Sequence, residues 1–272
     1  MAASSCFPLA ARCSFLLMGA LVIAPSYGAQ GHGGAGVGLS SSFYDDSCPG
    51  AHDIVRRVIQ RARVVDARIP ASLIRLHFHD CFVQGCDGSL LLDNDLPAIM
   101  TEKEVPANDS HISLSFPAVV TTSRRSLEGA HRVHHKVIIY YIILNTSSLR
   151  STGSITHTFG RAQCQFTQQN CSAGQDEETL LNLDTVTPDV FDNKYYGNLL
   201  RGHAPLPSDQ VMLCDAGASA TTAPIVHRFS GSQKDFFKNF ATSMVKMGNL
   251  SPLTGRAGEI RNNCQRVNRK PY

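Results

Sequence analysis

Apolar residues recur every three or four positions in three segments of the chain, which is the period of an amphipathic α-helix. The first segment runs from Asp53 to Arg63, the second from Pro70 to Asp80 and the third from Lys234 to Met247. Proline is tolerated where the second segment begins, because the first N–H groups of a helix have no partner within it. The hydrophobic pattern therefore predicts a chain built mainly of helices.

Residues 109–154 do not follow this pattern. They contain a β-branched and aromatic run, Val137 to Leu144, which favours a strand in a chain that is otherwise helical. Three histidines lie close together just before the run; His131 and His134 could share a helical face and bind a metal, with His135 beside them. We prefer the interpretation that these histidines form a plain surface cluster, because no second pair of metal ligands lies nearby in the sequence. We expect the run to be poorly packed or exposed.

The start of the chain has the pattern of a cleaved secretory signal. Arg12 precedes an apolar run from Phe15 to Ala24, and small residues follow. The run is shorter than the roughly 20 apolar residues that a membrane anchor needs. We therefore predict a signal peptide at 1–28, a glycine-rich leader at 29–42 and a secreted protein, extracellular or in the cell wall, with no membrane span.

Charge and cysteine content limit the partners and the compartment. The net charge is only +3, from 25 basic and 22 acidic residues, which argues against nucleic acid or an acidic membrane as the main partner. Removing residues 1–28 takes Cys6 and Cys13 from the nine cysteines and leaves seven. Cysteines pair in an oxidising compartment, so this odd number predicts at least one unpaired thiol.

The second predicted helix carries a candidate catalytic pair. Arg75 and His79 lie four positions apart on one face, with Phe78 beside them. An imidazole can move a proton while a fixed cation stabilises developing negative charge. His77 faces roughly the opposite way, which disfavours a metal hydrolase built from His77, His79 and Asp80. Taken alone, the helix leaves a surface Arg–His pair as the other interpretation.

The run from Arg75 to Val83 continues into Gly85-Cys86-Asp87-Gly88-Ser89, and together they resemble the distal haem signature of the plant class III secretory peroxidases. Further motifs keep the order of that family: Phe43-Tyr44, Ser47-Cys48-Pro49, Thr101-Glu102-Lys103, His157 to Arg161, Asp184 to Asp192, Phe191 to Tyr196, Ser208-Asp209-Gln210, Met247-Gly248-Asn249 and Ile260 to Cys264. The resemblance covers residues 43–108 and 155–272. It implies an all-α, plant-type haem peroxidase fold with the haem between a distal and a proximal half.

On the distal side, the resemblance implies that His79 takes a proton from hydrogen peroxide and returns it to the departing oxygen. Arg75 would stabilise the charge on that oxygen, and Phe78 would form a wall at the haem edge. Glu102 and Asn108 match a hydrogen-bonded pair whose asparagine holds the tautomer of the distal histidine.

On the proximal side, the resemblance implies that His157 binds the iron of haem b and that Asp209 accepts its other N–H. The implied protein is a monomeric, secreted peroxidase that reduces hydrogen peroxide and oxidises phenolic donors by one-electron steps. The alternative is a catalytically impaired remnant that binds haem or calcium without turnover.

Two calcium sites are also implied, because each of two segments offers many hard oxygen donors. From the residues alone, either segment could instead be an acidic turn capped by Ser or Thr. The first set is Asp80, Val83, Gly85, Asp87 and Ser89, and the second is Thr158, Asp184, Thr187, Val190 and Asp192.

The chain departs from the family in its middle. Residues 109–154 replace a long helical stretch and form a non-family insert within a domain at 43–272, so the fold is incomplete. A second deletion lies between Cys164 and Cys171. The resemblance still implies the disulfides Cys81–Cys86 and Cys164–Cys171, but it leaves Cys48 and Cys264 without their family partners. Whether those two pair with each other stays open, and Cys214 is our candidate for the unpaired thiol.

Overall fold

The computed structural model describes residues 40, 42, 44–46, 48–82, 85–93, 101–105, 157–168, 171–250, 252, 258 and 261–268. Most of these residues are helical. The helices are α1 (Ala51–Val65), α2 (Ile69–Cys81), α3 (Lys194–Leu200), α4 (Pro207–Cys214), α5 (Ala223–Gly231) and α6 (Gln233–Gly248). The strands are β1 (Arg161–Gln163) and β2 (Leu180–Asn182). The mainly helical fold predicted from the hydrophobic pattern is confirmed.

The three helices expected from that pattern are α1, α2 and α6. Pro70 lies in the first turn of α2, where its missing N–H leaves no bond unmade. The hydroxyl of Ser232 accepts a hydrogen bond of 3.1 Å from the backbone N–H of Asp235 and so caps the start of α6. These local signals begin the helices, and burial of one face then holds each of them in place.

One hydrophobic core connects α1 and α2 with the later helices α3, α5 and α6. Leu73 and Leu76 of α2 are buried in the same cluster as the apolar face of α1 and the aromatic residues of α3, α5 and α6. Phe191, just before α3, contacts Phe240 with 4.7 Å between ring centroids, and Tyr196 contacts Phe236 at 5.1 Å. Burying an apolar side chain of this size contributes about 1.5–3 kcal/mol, so this core fixes α2 against α6.

A small antiparallel sheet, which the hydrophobic pattern did not predict, follows the segment of His157. Arg161 pairs with Asn182 and Gln163 with Leu180. Gly160, just before β1, has φ +111°, and a Cβ atom there would lie 3.3 Å from the Cβ of Ala71 in α2. A glycine is therefore required for the segment after His157 to pass this close to the helix that carries His79.

The disulfides Cys81–Cys86 and Cys164–Cys171 are both present, as the resemblance implies. Cys214 is also disulfide-bonded, so its prediction as the unpaired thiol is wrong. Spacing along the chain does not determine which thiols meet. In the described part of the chain, Cys48 and Cys264 are buried in one core and are not joined to each other.

Several predictions fall on residues outside the described ranges. These are the signal peptide at 1–28, nearly all of the leader at 29–42, the insert at 109–154, Val83 and Asn108. Within the described ranges, each helix is too short or too polar to cross a membrane.

Candidate active site

Helix α2 turns one face towards the core and, among the described residues, leaves the other face largely uncovered. Leu73, Leu76 and His77 point inwards, whereas Phe78 is 41% exposed and its ring lies edge-on to that of His79 at 5.6 Å. Phe82, just beyond the helix, contacts Phe78 at 4.8 Å. The uncovered face therefore presents a histidine beside an apolar surface that a flat aromatic ligand could cover.

Arg75 belongs to this same uncovered face. The side chain is exposed by surface area, yet enough protein surrounds the guanidinium for burial to lower its pKa. A guanidinium nevertheless stays protonated in proteins. Arg75 thus supplies a fixed positive charge one helical turn from His79.

His77 faces the opposite way, as its position on the helix predicts. Its Nε2 lies 3.4 Å from the carbonyl oxygen of Met244, and its Nδ1 lies 3.4 Å from Sγ of Cys81. Burial lowers the pKa of His77 to about 4, so the ring is neutral at neutral pH. Ligand atoms of His77, Cys81 and Cys86 lie within 4.8 Å of one another, but the two sulfurs are bonded to each other and are not free thiolates.

His157 and Asp209 form the second half of the candidate site. Nδ1 of His157 lies 2.8 Å from Oδ1 of Asp209, although the residues are 52 positions apart. Asp209 stands in the first turn of α4, where the N-terminal end of the helix dipole stabilises a negative charge. Its side chain is only 4% exposed, whereas that of His157 is 35% exposed.

This arrangement fits an iron ligand. Asp209 holds Nδ1 of His157, which leaves Nε2 as the ring nitrogen for a metal, and a carboxylate partner makes the imidazole more basic. Histidine with such a partner is a standard axial ligand of haem. The residues present therefore fit a haem, which would supply redox chemistry towards peroxide when bound.

Tyr195 of α3 lies beside this pair. Its ring is edge-on to that of His157, with 6.3 Å between the centroids and 88° between the planes. The hydroxyl of Tyr195 is buried, and so is Oδ2 of Asp209. Sequence reasoning assigned Tyr195 no role, because the spacing along the chain does not show that α3 packs against α4.

The first candidate calcium segment is held as a compact loop. Oδ1 of Asp80 accepts a hydrogen bond of 2.7 Å from the N–H of Gly88, and the hydroxyl of Ser89 donates one of 2.7 Å to Oε2 of Glu102. Gly85 has φ +91°, a conformation that other residues rarely adopt. Oδ1 of Asp87 accepts from the N–H of Ser89 at 2.9 Å. The described members of this set therefore lie together.

Arg261 holds that loop from the far end of the chain. Its guanidinium donates to the carbonyl oxygens of Asp87 at 2.6 Å, Gly88 at 2.8 Å and Cys264 at 3.0 Å. Sequence reasoning quoted Arg261 within a family motif but gave it no role. A contact across more than 170 residues leaves no local signal in the sequence.

The second candidate calcium segment is more deeply buried. The hydroxyl of Thr158 donates to the carbonyl oxygen of Asp192, and that of Thr187 donates to Oδ1 of Asp192 at 3.1 Å. Asp184 accepts a hydrogen bond of 2.9 Å from the amide of Asn198. Two buried carboxylates this close together repel each other, so the segment suits a bound cation.

Val190, the fifth member of the second set, is exposed at the side chain. Only its carbonyl oxygen could serve as a ligand. Its N–H donates to the carbonyl oxygen of Thr187 at 3.1 Å, which places its backbone in the same turn. The structure therefore brings all five members of the second set into one segment around the start of α3.

A mainly helical fold, a helix face with arginine and histidine, and a histidine held by a buried carboxylate are together the parts of a haem peroxidase. A model of the peroxidase family matches residues 53–133 and 151–232. The chain belongs to the peroxidase family, among the plant class III secretory peroxidases. It is a peroxidase, with hydrogen peroxide and a donor as substrates.

Three relatives show how far the similarity extends. Peroxidase 2 of Cucumis sativus is 36% identical over 297 positions, which cover 84% of this chain and 100% of the relative. Peroxidase 15 of Ipomoea batatas is 36% identical over 306 positions, covering 85% and 93%. The lignin-forming anionic peroxidase of Nicotiana tabacum is 35% identical over 311 positions, covering 87% and 95%.

These alignments also bear on the middle of the chain. An alignment of 297 positions cannot be filled by 84% of 272 residues, so parts of the cucumber relative have no counterpart here. The family match includes residues 109–133 and leaves out 134–150, within the segment predicted as an insert. The insert boundaries at 109 and 154 stay a prediction.

Proposed function

We propose that the chain is a secreted peroxidase in which His157 binds haem b and His79 with Arg75 acts on hydrogen peroxide. The observation that carries this proposal is the pairing of His157 with the buried Asp209 at 2.8 Å. The side chain of Asp209 is almost fully buried, and burying a carboxylate is costly unless it is paired. Its Oδ1 is hydrogen-bonded to one ring nitrogen of His157. Such a partner orients a metal-binding imidazole and increases its electron donation.

The distal residues would divide the work on peroxide. His79 takes a proton from one oxygen and returns it to the other, because a neutral imidazole can act first as a base and then as an acid. Arg75 stabilises the negative charge that develops on the leaving oxygen. Phe78 forms an apolar wall beside them. Glu102 contacts the calcium loop through Ser89, and the role of Asn108 in holding the tautomer of His79 stays a prediction.

The two acidic segments would hold two calcium ions. The first lies directly after α2, which carries His79, and the second involves Thr158, the residue after His157. A cation at each place would therefore brace a histidine of the active site. Carboxylates, hydroxyls and main-chain oxygens are the donor types that calcium prefers.

The donors would be small phenols, and the protein would act outside the cell as a monomer. The pattern of residues 1–28 supports secretion, and the two short disulfides suit an oxidising compartment. The similar tobacco protein is named as lignin-forming, which supports a phenolic donor for this chain.

Reconstitution of the secreted protein with haem and calcium tests the assignment, with guaiacol oxidation by hydrogen peroxide as the assay. His79→Ala should keep haem and lose about 100- to 10,000-fold in kcat/KM for peroxide, the usual range for a general acid–base residue. His157→Ala should lose the axial coordination seen in the absorption spectrum.

His227→Ala is the matched control, because His227 is exposed on α5 and belongs to none of the proposed site sets. This variant should keep the haem binding and the kcat/KM for peroxide of the unchanged protein. Haem uptake without turnover in the unchanged protein would favour the impaired remnant. Full turnover in His79→Ala would contradict the proposed role of His79.

A further inference from the structure

Two buried polar atoms beside His157 lack a hydrogen-bond partner among the described residues. They are the hydroxyl oxygen of Tyr195 and Oδ2 of Asp209. The other carboxylate oxygen, Oδ1, is already engaged with Nδ1 of His157. Leaving a buried polar atom without a hydrogen-bond partner destabilises the folded protein, so two such atoms in one cluster need a physical explanation.

The two atoms belong to groups that influence each other. Tyr195 is fully buried on α3, and α3 packs against α4, which carries Asp209. Burial raises the pKa of Tyr195, and Asp209 raises it further through its charge and as a hydrogen-bond acceptor. No complete hydrogen bond joins the two groups in the structure, and both atoms stay without a partner among the described residues. The phenol keeps its proton throughout and can only be the donor.

We propose that Tyr195 is a positioning residue that donates a hydrogen bond to Oδ2 of Asp209. This bond would set the strength of the hydrogen bond that Asp209 accepts from the N–H of His157. This inference rests on the proposed role of His157 as the iron ligand. A carboxylate that accepts from a phenol on one oxygen has less negative charge to offer on the other. Tyr195 therefore moderates the electron donation of His157 to the metal and limits the rotation of the carboxylate.

Tyr196 provides a matched control in the same helix. Its hydroxyl is also buried without a partner among the described residues. Burial alone raises the pKa of Tyr196, with no contribution from a carboxylate, and its ring packs against Phe229 and Phe236. Tyr195→Phe and Tyr196→Phe thus each remove one buried hydroxyl, but only the first removes a donor to Asp209.

The first measurement is resonance Raman spectroscopy of the ferrous haem-loaded protein. Without the phenol, Asp209 accepts a stronger hydrogen bond from the N–H of His157 and makes the imidazole more electron-donating. Tyr195→Phe should therefore move the iron–histidine stretch to higher frequency. The ferric/ferrous reduction potential should become more negative in the same variant. Tyr196→Phe should change neither quantity. An iron–histidine stretch that is present and unmoved in Tyr195→Phe would overturn the inference and leave the proposed ligand intact.

The second measurement uses the haem-free protein and does not depend on the ligand assignment. A double-mutant cycle combines Tyr195→Phe with Asp209→Ala and follows unfolding in urea. A hydrogen bond to a charged group predicts a coupling of about tenfold or more in the unfolding equilibrium constant. The same cycle with Tyr196→Phe should show additivity. Additivity in both cycles would overturn the Tyr195–Asp209 contact, whereas failure of the unchanged protein to bind haem through His157 would overturn only the proposed function.

Discussion

At the scale of single residues, two histidines of α2 show how strongly location decides chemistry. His77 is buried against Met244 and Cys81, whereas His79 lies on the uncovered face beside Phe78. A period of 3.6 residues places positions two apart on nearly opposite sides of a helix. One histidine is therefore part of the core, and the other lies on the face that carries the proposed proton transfer.

The burial of His77 predicts a pH-dependent stability. The unfolded chain takes up the proton near pKa 6.5, whereas burial lowers the pKa of His77 to about 4 in the folded protein. Between these values the unfolded state holds more protons, so stability is full above pH 6.5 and is lost as the pH falls towards 4. The loss should amount to about 3 kcal/mol, measured as the free energy of unfolding in urea.

His77→Gln should remove this part of the pH dependence, because glutamine does not titrate. The exposed His227→Gln should keep it. Equal slopes for His77→Gln and the unchanged protein between pH 6.5 and 4 would show that other groups cause the acid sensitivity.

At the scale of elements, the segment between β2 and α3 couples the proposed second calcium site to the site of His157. Asp184 and Asp192 are buried, and Thr187 donates to both, with 3.4 Å to Asp184 and 3.1 Å to Asp192. Thr158, the residue after His157, donates a hydrogen bond to the carbonyl oxygen of Asp192. The position of His157 therefore depends on how well these carboxylates are neutralised.

Removal of calcium should lower the melting temperature of the protein. A ligand present at about 100 times its dissociation constant stabilises the folded state by about 2.7 kcal/mol, and a chelator withdraws that stabilisation. Asp184→Asn should reduce the response to the chelator, because it removes one buried carboxylate from the set. The control is Asp215→Asn, an exposed carboxylate at the end of α4. A chelator response unchanged by Asp184→Asn would place the ion elsewhere.

At the scale of the whole molecule, the aromatic cluster of α3, α5 and α6 supports both halves of the site. Phe236 is fully buried and contacts Tyr196, Phe229 and Phe240 with centroids 5.1–6.1 Å apart. The same core receives Leu73 and Leu76 of α2. A cavity in this cluster should therefore weaken both helices that border the site.

Phe236→Ala should lower the free energy of unfolding by about 3–5 kcal/mol, as large-to-small changes in an aromatic core do. Phe166→Ala, at a position that is 61% exposed, should have a small effect. Urea denaturation of both variants at pH 7 makes the comparison. A small loss in Phe236→Ala would mean that the cluster can collapse around the missing ring.

The sequence by itself determined the local elements and the chemical types at the site. The repeat of apolar residues placed α1, α2 and α6, and helical geometry separated His77 from His79, because both depend only on neighbours along the chain. The family motifs named His157 and Asp209 as partners, and that contact is present. The order of family motifs can therefore identify two residues that contact each other even when they are far apart along the chain.

Only the tertiary structure decided which distant groups meet. The contact of Tyr195 with Asp209, the contact of Arg261 with the loop after α2 and the disulfide of Cys214 had no local signal. Each of these contacts results from the way helices and loops pack, which sums many small apolar contributions across the core. Periodicity fixes the direction of a side chain on its own helix, but packing fixes what that side chain faces.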